Sequence, residues 1–423
     1  MTTVDTAPVV APVHYWTRER KVGLGLVVAG VLAALGFGLL ADGSRAASFT
    51  FTETTAGSTV SINGVLGAVL FGLVGVVAGG ALWLPRARRW FGWLLGVAIL
   101  AVVVSFLCWQ LSDATRNIMP LGQVVRTSML FALPLIFGGL AGALGERSGV
   151  INIAIEGQFI SGAFAAAMFA TMLASVWAGI LAAAAAGMLI AALLAVLAIR
   201  YLVDQIVVGV VLIVFALGLT GFLFEQLMRT RPDRYNQPSA VPTWEIGGLS
   251  ELPLIGPVLF RTNVFVYLAL ALVAALHFGL FRTRWGLRTR AVGEHPTAAD
   301  TVGVRVLGLR YRNVLVAGAF AGIGGATFTL EATTNFSKGM TSGLGFIALA
   351  AMIFGRWTPL GVLLAALFFG FSRALAVSLG TIGSAIPSQF LAMLPYLATI
   401  AVVAGLVGRA RPPAADGKPY VKG

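Results

Sequence analysis

The sequence predicts an all-α polytopic membrane protein with about 10–12 transmembrane helices, one of them short or broken, and with both termini cytoplasmic. Three observations lead there. Of 423 residues, 58% are hydrophobic and only 11% are charged, whereas soluble domains carry about a quarter charged residues. Apolar runs of about 20 residues, the length a helix needs to cross a bilayer, recur along the chain. Basic residues cluster in short groups at the ends of those runs, as in PRARRW at 85–90, which is the pattern of cytoplasmic loops.

The expected spans begin at about 22–41, 63–84 and 91–110, and continue at about 126–144, 152–174, 176–199 and 205–227. After a polar loop come about 264–281, 314–331, 343–355, 359–378 and 389–408. The run at 343–355 is too short to span. It reads as a broken or re-entrant helix, which lipid tolerates only where protein or a cavity covers the backbone. The first apolar run shows no small-residue cleavage site after it, so it reads as a retained anchor.

Arginine and lysine in the loops set the orientation. Arg18, Arg20 and Lys21 precede the first span, and Arg86, Arg88 and Arg89 join the second to the third. The 282–312 segment carries seven arginines, and Arg409, Arg411, Lys418 and Lys422 follow the last span. An even number of spans puts all four groups on one side. The remaining loops, 42–62 and 225–262, are nearly balanced in charge.

The net charge is +13, but no continuous basic stripe exists, so nucleic acid is not an expected partner. Cys108 stands alone and His14, His277 and His295 are far apart. No metal site and no catalytic set is expected from them. Residues 1–111 hold few polar residues inside their apolar runs and read as a tail with an accessory three-helix membrane segment. Residues 112–408 read as the working core, with a cytoplasmic loop at 282–313 inside it and a cytoplasmic tail at 409–423.

Two stretches point to chemistry. The first is GERSGVINIAIEGQ, residues 145–158, lodged between two apolar runs. If 148–156 is helical, Ser148, Asn152 and Glu156 share one face. With Gln158 they supply neutral hydrogen-bonding groups and one carboxylate. Buried polar groups in a membrane mark a pathway or hold helices together, and either role suits Asn152 and Glu156. Glu146 and Arg147 also suit the interface. The second stretch is GLRTRAVGEHPTAADTVGVRVLGLRYRN, residues 286–313, too polar to span. Pro296 is expected to open a short helix, with Ala298, Ala299 and Val302 as a small apolar face. That face suits docking into a partner's groove or contact with anionic lipid.

Further along, Glu331 and Asn335 are spaced i, i+4 at the outer end of a span, followed by Lys338. They suggest an outer gate, a contact for an extracellular protein, or a plain exit loop. Arg356 and Trp357 read as an interfacial anchor.

RAVGEHPTAADTVGV (290–304) resembles the coupling loop of ABC importer permeases, in the branch serving branched-chain amino acids, simple sugars and nucleosides. His295 stands where that motif usually has Asn. SGVINIAIEGQ (148–158) and GLGFIALAAMIFGRWTPLG (343–361) resemble two further signatures in their nucleoside-type form. The resemblance covers about residues 120–408; the first 110 residues match less well, and nothing is carried over to them. It implies a permease subunit that imports nucleosides or related purine or pyrimidine compounds by ATP-driven alternating access, without enzymatic activity of its own. The chain has no G-x-x-x-x-G-K-[ST] phosphate loop, so ATP and Mg are expected on a separate ABC ATPase. The other implied partners are a second permease, a different chain, and an extracellular or lipid-anchored substrate-binding protein. The expected location is the bacterial cytoplasmic membrane.

Read from the residues, Ser148, Asn152, Glu156 and Gln158 are the expected substrate pathway, with Glu331 and Asn335 toward its outer side. The resemblance carries Arg290, Gly293, Glu294, Pro296, Ala298, Ala299 and Gly303 as the ATPase-coupling set. The same machinery importing a simple sugar or a branched-chain amino acid is the main alternative. A carboxylate cargo would favour cationic groups in the pathway, and only Arg147 offers one. An ion-coupled secondary transporter would show inverted repeats, and none is evident.

Overall fold

A computed structural model describes residues 16–51, 59–252, 256–384 and 411–422, with scattered positions between 386 and 396. Among them, nine helices are long and apolar enough to cross a membrane. Most of the expected last span at 389–408, together with His14 and Arg409, lies outside the described residues.

The chain forms two compact units. The first comprises residues 1–50, 55–120 and 378–387. It contains α1 (Arg18–Leu40), α2 (Gly64–Ala81) and α3 (Phe91–Asp113). Strands β1 (Ala46–Thr50), β2 (Thr59–Asn63) and β3 (Ile118–Pro120) form a small sheet in the order β2-β1-β3. β1 runs antiparallel to β2 and parallel to β3, with Ala46 opposite Asn63 and Ser48 opposite Ile118. Asn63 ends β2 and caps α2, its side chain accepting from the Leu66 amide at 3.1 Å. Residues 378–387 join this unit through the Arg116 amide, which donates to the Ile382 carbonyl at 3.1 Å.

The second unit comprises residues 51–54, 121–377 and 388–423. Its helices are α4 (Leu121–Glu146), α5 (Ile155–Met172), α6 (Val176–Arg200), α7 (Gln205–Met228) and α8 (Val264–Arg282). Two short helices follow, α9 (Arg284–Glu294) and α10 (Pro296–Thr301). Then come α11 (Val306–Ala332), α12 (Leu344–Phe354) and α13 (Pro359–Thr381). A two-stranded ribbon pairs β4 (Thr243–Glu245) with β5 (Arg261–Asn263).

Side chains fix the helix starts. Asp204 accepts from the Ile206 and Val207 amides at 2.9 and 3.0 Å, and Asn263 accepts from the Phe265 amide at 3.0 Å. Each satisfies donors that lipid would leave orphaned. The core is built on α4 and α11, which are buried along most of their length, while α6, α7, α8 and α13 each leave an apolar side exposed.

Close approach of backbones packs this core, as expected for helices in lipid. A Cβ on Gly322 of α11 would sit 2.0 Å from the Ala183 carbonyl oxygen of α6, and one on Gly162 of α5 would sit 2.3 Å from the Gly322 carbonyl oxygen. No side chain fits at either position.

The 11-residue α12 is the short helix that the sequence predicted. It lies beside α4 in the same direction: Gly138 packs on Ala348 and Gly142 on Met352. The 148–156 segment is not one helix. α4 stops at Glu146, and residues 147–154 form an irregular, mostly buried loop before α5 opens at Ile155. Gly149, with φ +84°, turns the chain there. Ser148, Asn152 and Glu156 therefore do not share a helical face.

Candidate functional site

The 145–158 stretch holds both ends of α12. The Glu156 carboxylate is 4% exposed. Its Oε1 accepts from the Thr341 hydroxyl at 2.6 Å and the Gly343 amide at 2.8 Å, and its Oε2 accepts from the Gly345 amide at 2.7 Å. These amides open α12, where the helix dipole favours negative charge. Gly343 caps the helix with φ +80°, a conformation natural to glycine. Gly345 has no room for a side chain, since a Cβ would lie 2.6 Å from the Glu156 amide nitrogen.

At the other end, Arg147 supplies the opposite charge. Its Nε donates to the Trp357 carbonyl at 2.6 Å and its Nη2 to the Arg356 carbonyl at 3.5 Å. Arg356 and Trp357 both have positive φ, 53° and 54°, a conformation that costs side-chain-bearing residues about 1–2 kcal/mol each. The Trp357 indole donates to Glu146 Oε2 at 2.5 Å. Trp357 is buried rather than set at an interface, so it anchors α12 to α4 and not the protein to lipid.

Asn152 and Gln158 are fully buried and pair with each other: Asn152 Nδ2 donates to Gln158 Oε1 at 3.1 Å, and Gln158 Nε2 to Asn152 Oδ1 at 3.2 Å. Ser148 donates to the Gly145 carbonyl at 2.7 Å. Gln205, which the sequence reading missed, accepts from the Ile151 amide at 2.7 Å and ties this loop to α7. Its position at the start of a span was the only available signal.

Glu331 and Asn335 are not one helical pair. α11 ends at Ala332, and Asn335 lies exposed in the following loop. The Glu331 carboxylate instead accepts from Asn263 Nδ2, and Lys338 pairs with Glu225 at the end of α7.

The 290–304 stretch forms two helices meeting at His295. Pro296 opens α10, as expected, and His295 Nδ1 accepts from the Ala298 amide at 3.3 Å. Gly303 leaves α10 with φ +82°. Ala299 is not on a docking face. It points inward, packed with Val292, Val306, Leu309 and Tyr420, while Thr297, Ala298 and Val302 are exposed. The cause is a six-residue helix that buries one side against its own chain.

Gly293 meets the 145–158 stretch directly, because a Cβ there would lie 2.3 Å from the Arg147 carbonyl oxygen. Arg147 and Arg290 both lie against the Phe281 ring, 5.4 and 5.3 Å from its centroid. Burial, and then the neighbouring Arg290, pulls the Arg147 guanidinium below its ordinary range. Glu294 Oε2 accepts from the Ala414 amide at 3.2 Å. The described residues contain no cluster of His, Cys, Asp and Glu able to hold a metal.

The arrangement defines a class: a multi-pass membrane protein whose polar residues grip a half-helix, with a polar helix pair against that grip. The chain belongs to the family described as the branched-chain amino acid transport system / permease component, which it matches over residues 124–407. It is 41% identical to the guanosine ABC transporter permease protein NupQ of Bacillus subtilis, across 72% of this chain and 98% of that one. It is 39% identical to the nucleoside ABC transporter permease protein NupC of Lactococcus lactis, across 71% and 96%. It is 34% identical to the putative glucose ABC transporter permease protein TsgC13 of Haloferax volcanii, across 66% and 89%. Each of those two bacteria has a second, more distant matching permease, at 27% and 23% identity. No solved structure matches. The protein is thus a transport permease of the bacterial plasma membrane.

Proposed function

We propose that this chain is the permease subunit of an ABC importer that brings nucleosides, or related purine or pyrimidine compounds, into the cell. The observation that carries the reading is its identity of 41% and 39% to permeases named for guanosine and nucleosides, along almost their whole lengths. Those relatives are matched by about 70% of this chain, and the family match begins at residue 124. This supports residues 1–111 as an accessory segment and 112–408 as the transport core. That each bacterium holds two such permeases supports a second, different permease as partner.

Alternating access needs an energy source that favours one state over the other. ATP and Mg on a separate ATPase supply it, and an extracellular or lipid-anchored binding protein delivers cargo. The 282–313 loop lies on the cytoplasmic side with both termini. There α10 offers Thr297, Ala298 and Val302 to the ATPase, and Arg290, Gly293, Glu294, Pro296, Ala299 and Gly303 shape it. Motion at α10 passes through Gly293 to Arg147, and so to the half-helix.

The pathway runs past Ser148, Asn152, Glu156 and Gln158, with Glu331 and Asn335 toward the outer side. In the conformation described, the first four bond to the protein itself. They meet cargo when α12 parts from the 145–158 stretch. Discontinuous helices with their ends at the cargo site are a recurrent transporter device.

The test is uptake of labelled guanosine, uridine and adenosine in cells with and without the chain, with ribose, glucose and leucine as competitors. Loss of uptake on deletion, with competition by nucleosides alone, is expected. Unchanged nucleoside uptake would overturn the cargo. A fall in glucose uptake instead would favour a second reading, sugar import, for which the 34% identity to a permease named for glucose speaks.

A further inference from the structure

Residues 411–422 pack against four separate parts of the second unit. The Ala415 amide donates to the Gly293 carbonyl at 2.9 Å, at the end of α9. Arg310 of α11, 2% exposed, donates from Nη1 to the Lys418 carbonyl at 3.1 Å. Gly417, with φ +71°, packs so closely on Ile151 of the 147–154 loop that a Cβ would lie 2.7 Å from the Ile151 Cδ1. The Tyr420 ring is buried among Val292 of α9, Ala299 of α10, and Val306 and Leu309 of α11.

We propose that residues 411–422 are a fixed clasp that holds α9 and α10 on the 145–152 loop, with Tyr420 as its positioning residue. The inference rests on α10 being the helix that the ATPase moves. A helix of six residues is not stable alone and depends on what it packs against. Ala299 is the buried residue of α10, and Tyr420 is part of the cluster that receives it. With the clasp seated, a push on α10 travels through Gly293 to Arg147. Without it, α10 yields locally and the push is lost.

A plug that must leave during transport is the competing idea. The spread of its contacts speaks against it. Withdrawal of residues 411–422 would break the Arg310–Lys418 and Ala415–Gly293 hydrogen bonds and uncover the apolar cluster around Tyr420 all at once.

The test uses the complete transporter in proteoliposomes, reading guanosine uptake and ATP hydrolysis on one preparation. Tyr420→Ala, and a chain ending after residue 410, should keep ATP hydrolysis but carry at least about fivefold less guanosine per ATP. Tyr420→Phe, which keeps the ring, should restore coupling. An unchanged ratio for Tyr420→Ala and for the shortened chain would overturn the clasp. Hydrogen exchange on the wild-type complex gives a second readout that needs no variant. The Ala415 amide should be protected at least about a hundredfold over a free peptide, and free-chain exchange would sink the proposal. Absence of guanosine uptake by the wild type would count against the cargo instead, leaving the exchange measurement to decide the clasp.

Discussion

At the scale of single residues, Glu156 has one carboxylate and three donors to satisfy. Glu156→Gln keeps the shape but loses the charge and turns one acceptor into a donor facing the α12 amides. A loss of about 1.5–3 kcal/mol is expected, the usual worth of a hydrogen bond to a charged group. Thermal unfolding of the purified complex measures it, and a wild-type midpoint would mean that Glu156 does not cap α12. Asn152 and Gln158 make a sharper case because each satisfies the other. Asn152→Leu or Gln158→Leu alone strands a buried amide, at about 1–3 kcal/mol, whereas the double replacement should cost clearly less than the two summed. Additive losses would show that the pair is not coupled. The sequence singled out these residues but could not supply their partners. Spacing read as one helical face became a loop at Gly149, and Glu156 bonds to Thr341, 185 positions away. Local pattern holds no record of so distant a contact.

At the scale of elements, the spans were the most legible feature. The expected 176–199 and 205–227 are observed as Val176–Arg200 and Gln205–Met228, because bilayer thickness sets the length of an apolar run. Legibility failed where polar residues are buried inside protein. α11 was expected from about 314 and begins at Val306, since the polar residues of its first turns are buried in protein: Arg310 donates from Nη1 to the Lys418 carbonyl and Asn313 donates to the Thr289 hydroxyl. The inward turn of α10 was equally hidden, as its apolar face looked the same whichever side it covered. The contact of α9 with the 145–158 stretch admits only glycine at 293. Gly293→Ala should push the two apart at a cost of about 1–3 kcal/mol, typical of overpacking. Uptake should fall more than co-purification with the ATPase does. Normal uptake by that variant would show that the contact transmits nothing.

For the whole molecule, the consequence of interest is that seating of residues 411–422 should respond to pH. Asp416 is the group concerned. Burial pushes its carboxyl up to about 6, from an ordinary value near 3.8, against the lowering effect of a hydrogen bond with Glu146, the Gly417 amide and Arg310. Glu146, at the end of α4, faces it as a second carboxyl, and Arg310 of α11 is the nearby cation. A raised value means that the seated segment holds the proton more tightly than the released one. The stabilisation is fully present below the free value, declines as pH rises toward about 6, and falls no further beyond. The Ala415 amide, corrected for intrinsic exchange, should therefore be better protected at pH 5 than at pH 7.5. Asp416→Asn cannot ionise and should flatten most of that difference. Equal protection at both pH values in the wild type would show that Asp416 is already ionised when seated.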